Sequence, residues 1–198
     1  MIEKRSYCGR NILPQRVSIK TIIFIQMKKT ILFTLLFTSL LSFSQVAIGK
    51  SNITNPSVSL EFGNGNRGIL LPWVTSVSSV TGAVDGTIIY DITDKKIKYL
   101  KAGSWFDLTI DNTGIVDTSL QNTLTDVSSA KTSIGTNAAT DSTSGILVLT
   151  DTNKAMVLPK VSSPHLNIIT PSSGMMVYDT TAHQLAVFNG TVWSFWKP

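Results

Sequence analysis

Short apolar runs recur at intervals along the chain after residue 45, which is typical of the strands of a β-protein. The runs are rich in Val, Ile, Thr and aromatic residues, and clusters of turn-forming residues separate them. The pattern predicts two sets of five strands, and the last three strands of each set are expected to form an antiparallel meander. The predicted strands are 58–62, 68–71, 86–92, 96–101 and 104–109 in the first set, and 145–149, 155–158, 174–179, 184–189 and 191–196 in the second.

The two sets of strands belong to an internal repeat. Two pairs of segments match each other, "NRGILLPWV" at 66–74 with "NKAMVLPKV" at 153–161, and "GTIIYDITDKKIKYLKAGSW" at 86–105 with "GMMVYDTTAHQLAVFNGTVW" at 174–193. The offset is 87 residues in the first match and 88 in the second. We therefore predict an all-β protein with two copies of a small β-meander module, copy one at 46–108 and copy two at 132–198.

The copies are joined by the segment 109–131, which is rich in Thr, Ser, Asn and Asp and has no sustained hydrophobic period. This composition indicates a polar linker or an irregular extended connection. One module is small for an independent core, and strand 174–179 is apolar on both faces. We expect the copies to pack on each other or the chain to form a homo-oligomer, with a fibre-like trimer as one such assembly.

A targeting signal is predicted ahead of the repeats. Residues 27–44, "MKKTILFTLLFTSLLSFS", hold two lysines, an apolar run and small residues at Ser42 and Ser44. This is the pattern of a signal peptide cleaved after Ser44, and its apolar run is shorter than the roughly 20 residues of a membrane span. Residues 1–26 are interpreted as an upstream extension. The product is expected to be secreted or held at the cell surface, with no membrane span in the mature chain.

Removal of this signal changes the charge of the protein. The whole chain has a net charge of +5, but its first 44 residues contain seven of the 17 basic residues and one of the 12 acidic residues. The mature chain keeps ten basic and eleven acidic residues, a net charge of −1, which does not favour nucleic-acid binding. The one cysteine, Cys8, also lies in the removed part, so no disulfide is expected.

The repeat resembles a known module. "GILLPWV" followed by "GTIIYDITDKKIKYLKAGSW", and "AMVLPKV" followed by "GMMVYDTTAHQLAVFNGTVW", resemble a repeat of exported Gram-negative bacterial surface proteins. That repeat has a "GxLxPR" segment, then a glycine, a Tyr-Asp turn and "FYNGTxW", and it is similar to tail-fibre-like segments. The resemblance implies a structural or attachment role and brings no catalytic residues. Trp73 and Lys160 stand at the Arg position of the pattern.

Motifs for catalysis or cofactor binding are weak in this sequence. "GNGNRG" at 63–68 fits a dinucleotide-binding pattern, but Pro72 follows and no helix is predicted there, so we interpret it as a β-turn. Two histidines without a mature cysteine give no metal-ligand spacing. Glu61 is the one glutamate after residue 44, so a glycosidase would need a pair of aspartates, and no such pair recurs in both copies. We expect no enzyme activity, no cofactor and no metal.

Turn residues recur at matching places in the two copies. Asp91 and Asp179 follow the repeated tyrosine, where an aspartate can accept hydrogen bonds from the next backbone N–H groups. Calcium binding is the alternative for these aspartates. Asn189 and Gly190 lie between two apolar runs, which is a strong signal for a tight hairpin turn. We interpret all four as structural turn residues.

The tryptophans are the candidates for ligand binding. Trp105 and Trp193 recur at matching positions, which favours a packing role, with sugar stacking as the alternative. Trp73 and Trp196 are not shared between the copies, so they are the better candidates for a partner-specific surface.

The leading hypothesis from the sequence is a secreted, non-catalytic β-repeat protein with a structural or attachment role at the cell surface. Its partner would be further copies of itself or another surface component. The alternative is a carbohydrate-binding protein that uses the tryptophans to hold a glycan. A secreted hydrolase ranks third.

Overall fold

A computed structural model describes residues 19–38, 45–125, 127 and 129–197. The chain divides into two compact units, residues 1–43 and residues 44–198. The first contains helix α1, Ile19–Thr38. Residues 39–44, which include the predicted cleavage site, lie outside the described residues. Within the described ranges, no helix has both the length and the apolar character that a membrane crossing requires.

The second unit is mostly β-structure, which confirms the all-β prediction. Its regular helices are a single turn, α2 (Pro164–Asn167), and two 3₁₀ turns at Val77–Ser79 and Gln121–Thr123. The strands are β1 (Val46–Ile48), β2 (Val58–Phe62), β3 (Ile69–Leu70), β4 (Trp73–Val74), β5 (Ile88–Asp91), β6 (Lys96–Lys101), β7 (Ser104–Asp107), β8 (Thr132–Ile134), β9 (Leu147–Leu149), β10 (Ala155–Val157), β11 (Lys160–Val161), β12 (Met175–Asp179), β13 (Gln184–Phe188) and β14 (Trp193–Trp196).

Each copy contains the expected meander, β5–β6–β7 in copy one and β12–β13–β14 in copy two. A short strand extends each meander on the side of its first strand. β4 runs parallel to β5, and β11 runs parallel to β12. The backbone contacts match as well, because the N–H groups of Tyr90 and Tyr178 each donate to a proline carbonyl at 2.9 Å. The two meanders therefore have the same strand order and the same pairing with the preceding short strand.

The turn between the first two meander strands is also the same in both copies. Asp91 and Asp179 are buried, and each carboxylate accepts the backbone N–H groups two and three residues later, at 2.9 to 3.3 Å. The turns then end on Lys95 and His183, which both have left-handed backbones, with φ of 59° and 54°. The aspartates satisfy the turn backbone that the strands leave unpaired.

Four short strands were not predicted from the sequence, β1, β4, β8 and β11. β1 pairs with the predicted strand β2 in copy one, and β8 pairs with the predicted strand β9 in copy two. The four strands have two or three residues each, which is too short for a clear sequence pattern. The ten predicted strands are all present, with ends that differ by no more than two residues.

The two copies pack on each other within the chain, and we call their contact the seam. At the seam β10 of copy two runs parallel to β2 of copy one, and β3 of copy one runs antiparallel to β12 of copy two. A shared core lies between the meanders and combines Leu71, Tyr90 and Ile97 with Met176 and Val187. The small modules thus share part of their core, and copy two has a further buried cluster of its own.

Strand β2 is held in place by a buried carboxylate. The carboxylate of Glu61 accepts hydrogen bonds from Lys50 Nζ at 2.6 Å and from the backbone N–H of Thr54 at 2.6 Å. The side chain of Glu61 is almost fully buried. These hydrogen bonds lower the pKa of Glu61 from its usual 4.5 to about 2.

Glu61→Gln is therefore expected to lower the free energy of unfolding at neutral pH. Because the folded-state pKa lies below the unfolded one, the stabilisation is complete above about pH 4.5 and is lost as the pH falls through about 2. Urea titrations at several pH values measure this effect. Across that window the wild type should lose stability relative to the variant, and Lys50→Met should reduce the same pH dependence. Parallel pH profiles for wild type and Glu61→Gln would contradict the assignment.

Candidate oligomerisation surface

The seam centres on the hydroxyl of Tyr90. Its side chain is fully buried, and Oη donates a hydrogen bond of 2.7 Å to the carbonyl oxygen of Asn189. Burial raises the pKa of Tyr90 to about 12, so the hydroxyl stays protonated and acts as a donor. A strand of copy one is thereby fixed to a turn of copy two.

Asn189 is itself fully buried, and its side chain is fully used. Oδ1 accepts the backbone N–H groups of Thr191 at 3.0 Å and of Val192 at 2.7 Å. Nδ2 donates to the carbonyl oxygen of Asp111 at 3.1 Å and to its carboxylate at 2.9 Å. The asparagine thus shapes its own turn and holds the start of the segment between the copies.

The turn of copy two differs from the tight Asn-Gly hairpin that the sequence predicts. Phe188 pairs directly with Trp193, which leaves residues 189–192 as a four-residue turn. Gly190 has a φ of 107°, whereas Asn189 does not take the left-handed backbone that a two-residue type I′ turn needs at both positions. The reason is the side chain of Asn189, which is engaged with the turn backbone and Asp111.

The two-residue turn occurs in copy one instead, where the sequence signal is weaker. Ala102 and Gly103 have φ values of 50° and 72° and connect β6 to β7. The carboxylate of Asp85 accepts their backbone N–H groups at 2.8 and 3.1 Å. These hydrogen bonds stabilise a left-handed alanine that would otherwise be unfavourable.

The beginning of the segment 109–131 packs tightly on the turn of copy two. A Cβ on Gly114 would lie 2.1 Å from the carbonyl oxygen of Asn189, and one on Gly190 would lie 2.3 Å from that of Ile115. The hydroxyl of Ser173 also donates to the carbonyl of Ile115. This stretch is irregular, as expected, but it belongs to the packed structure. The turn signal "DNTG" at 111–114 is what could have identified it.

The structure places the four tryptophans in different surroundings. Nε1 of Trp73 donates to the carbonyl of Ser173 at 2.8 Å, across the seam. Nε1 of Trp196 donates to the carbonyl of Leu108, the residue after β7. Trp193 packs against the core of copy two, and Trp105 is half-buried in the edge strand β7. Among the residues that the structure covers, no ring contact joins any two of these tryptophans.

Several acidic side chains accept hydrogen bonds from other parts of the protein. In the described part of the chain, no group of three or more His, Cys, Asp or Glu residues is placed to hold a metal ion. Asp151, for example, accepts hydrogen bonds from the backbone and hydroxyl of Thr136 and from the hydroxyl of Ser59. Those bonds lower the pKa of Asp151 to about 2. This carboxylate joins copy two to strand β2 of copy one.

Apolar side chains are exposed along β9, although they are covered at the corresponding place in copy one. β2 pairs with β1, and β9 pairs with β8 in the same way. In this register Leu60 of β2 and Leu147 of β9 occupy the same position in their copies. Leu60 is 1% exposed and Leu147 is 46% exposed. The preceding residues, Ser59 and Ile146, are 0% and 65% exposed. We call the row Ile146–Leu149 the β9 edge. Exposed apolar strand edges of this kind are typical of contacts with another chain.

A second apolar group is exposed around α2. Leu166 and Ile169 are largely exposed, and the ring of His165 contacts the edge of Phe195 at 5.7 Å between centroids. This group and the β9 edge both lie in the second half of the chain.

Residues 133–197 match a family model described as a phage tail like trimerisation region. The match spans most of copy two, including the β9 edge and the α2 group. No curated protein matches the chain, and no solved structure matches it. The match agrees with the resemblance to tail-fibre-like segments.

Tyr90→Phe is expected to lower the free energy of unfolding by about 1 to 2 kcal/mol, because it removes a buried hydrogen bond and leaves the carbonyl of Asn189 without this donor. Urea denaturation of the purified protein measures the change. Tyr99→Phe is the matched control, since Tyr99 is half-buried on the neighbouring strand and should cost less than about 0.5 kcal/mol. Equal losses for the two variants would show that the Tyr90 bond does not stabilise the seam.

Proposed function

We propose that residues 45–198 form a homotrimeric, non-catalytic segment of a fibre-like surface structure. The observation that carries this proposal is the match of residues 133–197 to a trimerisation region of phage-tail-like proteins. A structural role also agrees with the chemistry of the described residues, in which the buried carboxylates cap turns or join strands.

Exposed apolar surface supports association of chains. Single exposed apolar residues are common in monomers, but groups of them at a strand edge usually mark an interface. Ile146 and Leu147 form one such group, and Leu166 and Ile169 form another. Both lie inside the matched segment, which is where a trimerisation region would need them.

Trp73 and Trp196, the candidates for a partner-specific surface, take part in contacts between the copies. The indole N–H of each donates to a backbone carbonyl of the other copy. The ring of Trp196 is also 44% exposed, so glycan binding stays the alternative prediction.

The trimer is tested by the mass of the purified protein in solution. Light scattering coupled to gel filtration is expected to give three chain masses, with no change over a hundredfold dilution into the low micromolar range. A single chain mass at every concentration would contradict the proposal, and so would a stable dimer.

We also propose that the protein is exported and acts outside the cytoplasm, on the basis of the signal pattern in residues 27–44. N-terminal sequencing of the exported protein is expected to give Gln45 as the first residue. A chain recovered with residues 27–44 still attached would contradict cleavage and would place an apolar segment next to the first strand.

A further inference from the structure

We propose that neighbouring chains of the trimer contact each other in the way that the two copies contact each other at the seam. Copy two of one chain would dock on copy one of the next chain. The partner is thus a second copy of this protein, and the surfaces are the β9 edge and strand β3. The number of chains rests on the proposed function, whereas the docking contact rests on the internal repeat.

The seam inside the chain is a head-to-tail contact. Copy one contributes β2 and β3, and copy two contributes β10 and β12. The sequence match makes β10 the counterpart of β3, and register makes β9 the counterpart of β2. A two-fold seam would also pair β9 with β3, yet in the described chain β9 pairs with β8 alone. A head-to-tail contact uses a different surface on each copy, so the unused surface of each copy stays free for another molecule. Here these free surfaces are β9 and the outer edge of β3.

The offset of the repeat gives the register of the contact between chains. Within the chain, Ala155, Met156 and Val157 stand opposite Val58, Leu60 and Glu61. The counterparts are Gly68, Ile69 and Leu70 of one chain opposite Gly145, Leu147 and Val148 of its neighbour. Leu70 is 50% exposed and Leu147 is 46% exposed, so the contact covers apolar side chains on both strands.

Backbone geometry leaves the required edge of β3 available. The N–H of Leu71 donates to the carbonyl of Gly174 at 3.1 Å, so it points toward β12. N–H groups alternate between the two edges of a strand, and Gly68 is three residues earlier, so its N–H points to the opposite edge. Ala155 is the counterpart of Gly68 and uses the corresponding edge of β10. The N–H of Ala155 donates to the carbonyl of Ser57, the residue before β2, at 2.9 Å. β3 can therefore pair with β12 and with a neighbouring β9 together.

A polar contact of the seam is also available at the second contact. Inside the chain, the indole N–H of Trp73 donates to the backbone carbonyl of Ser173. The counterpart of Trp73 is Lys160, and that of Ser173 is Asp85. Both are exposed in the single chain, and the carboxylate of Asp85 already accepts two backbone N–H groups of the β6–β7 turn. The contact between chains therefore brings the ammonium group of Lys160 to the backbone carbonyl of Asp85.

Disulfide trapping in the full chain tests the contact. The background is the variant Cys8→Ser, because Cys8 is the one natural cysteine of the chain. The pair Ile69→Cys and Leu147→Cys should form disulfides between chains, because directly opposed residues of paired strands lie within bonding distance. Non-reducing gels are expected to show covalently linked trimers. The matched control is Leu60→Cys with Met156→Cys, the same position in the internal seam, which should remain a single covalent chain.

The outcomes separate the contact from the number of chains. A protein with three chain masses and no cross-link between Ile69→Cys and Leu147→Cys would overturn the docking contact and leave the proposed trimer intact. A ladder of longer cross-linked products would support the contact and contradict the trimer. Monomeric protein without cross-links would contradict both.

A surface substitution gives a second measurement that does not depend on cysteine chemistry. Leu147→Asp should reduce the mass from three chains to one, because it places a charge in the apolar contact, while the exposed position leaves the single chain folded. Leu124→Asp is the control, since Leu124 is exposed outside both proposed surfaces, and it should keep three chain masses. An unchanged mass for Leu147→Asp would overturn the contact.

Discussion

The hydrogen bond from Tyr90 to the carbonyl of Asn189 is the contact on which the arrangement of the two copies depends. A hydroxyl that is fully buried must find an acceptor, and here the acceptor belongs to the other copy. That carbonyl is held in place by a turn whose side chain reaches Asp111. The meander of copy one, the turn of copy two and the connecting segment are therefore fixed together, and the apolar core closes around them.

The parts of the fold that were predictable from the sequence are those that local chemistry determines. Strands of four to six residues form apolar runs between turn residues, and an aspartate at the end of a strand caps the turn that follows, as Asp91 and Asp179 do. The pairing of β3 with β12 joins residues about a hundred positions apart, and no local pattern encodes it. The Asn-Gly turn also differed from expectation, because a non-local partner, Asp111, holds the asparagine side chain.

Identical residues acquire different roles in the two copies because the seam has two sides. Tyr90 is buried at the seam, whereas its counterpart Tyr178 is half-buried and stands away from it. The same is true of Leu60 and Leu147, one of which is covered by β10 while the other is exposed. The repeat thus makes each copy incomplete in a complementary way. Sequence comparison of the copies reveals the repeat, but only the paired strands reveal which edges are left without a neighbour.

Short strands make such a module depend on neighbouring structure for its stability. Strands of two or three residues contribute few hydrogen bonds each and gain stability from the neighbours that stack on them. One seam completes one edge of copy one and leaves the equivalent edge of copy two exposed. Adding a further seam of the same kind between chains completes that edge without a new type of contact. A closed ring is then the arrangement in which every such edge is covered, because a head-to-tail contact that does not close always leaves one edge free at each end.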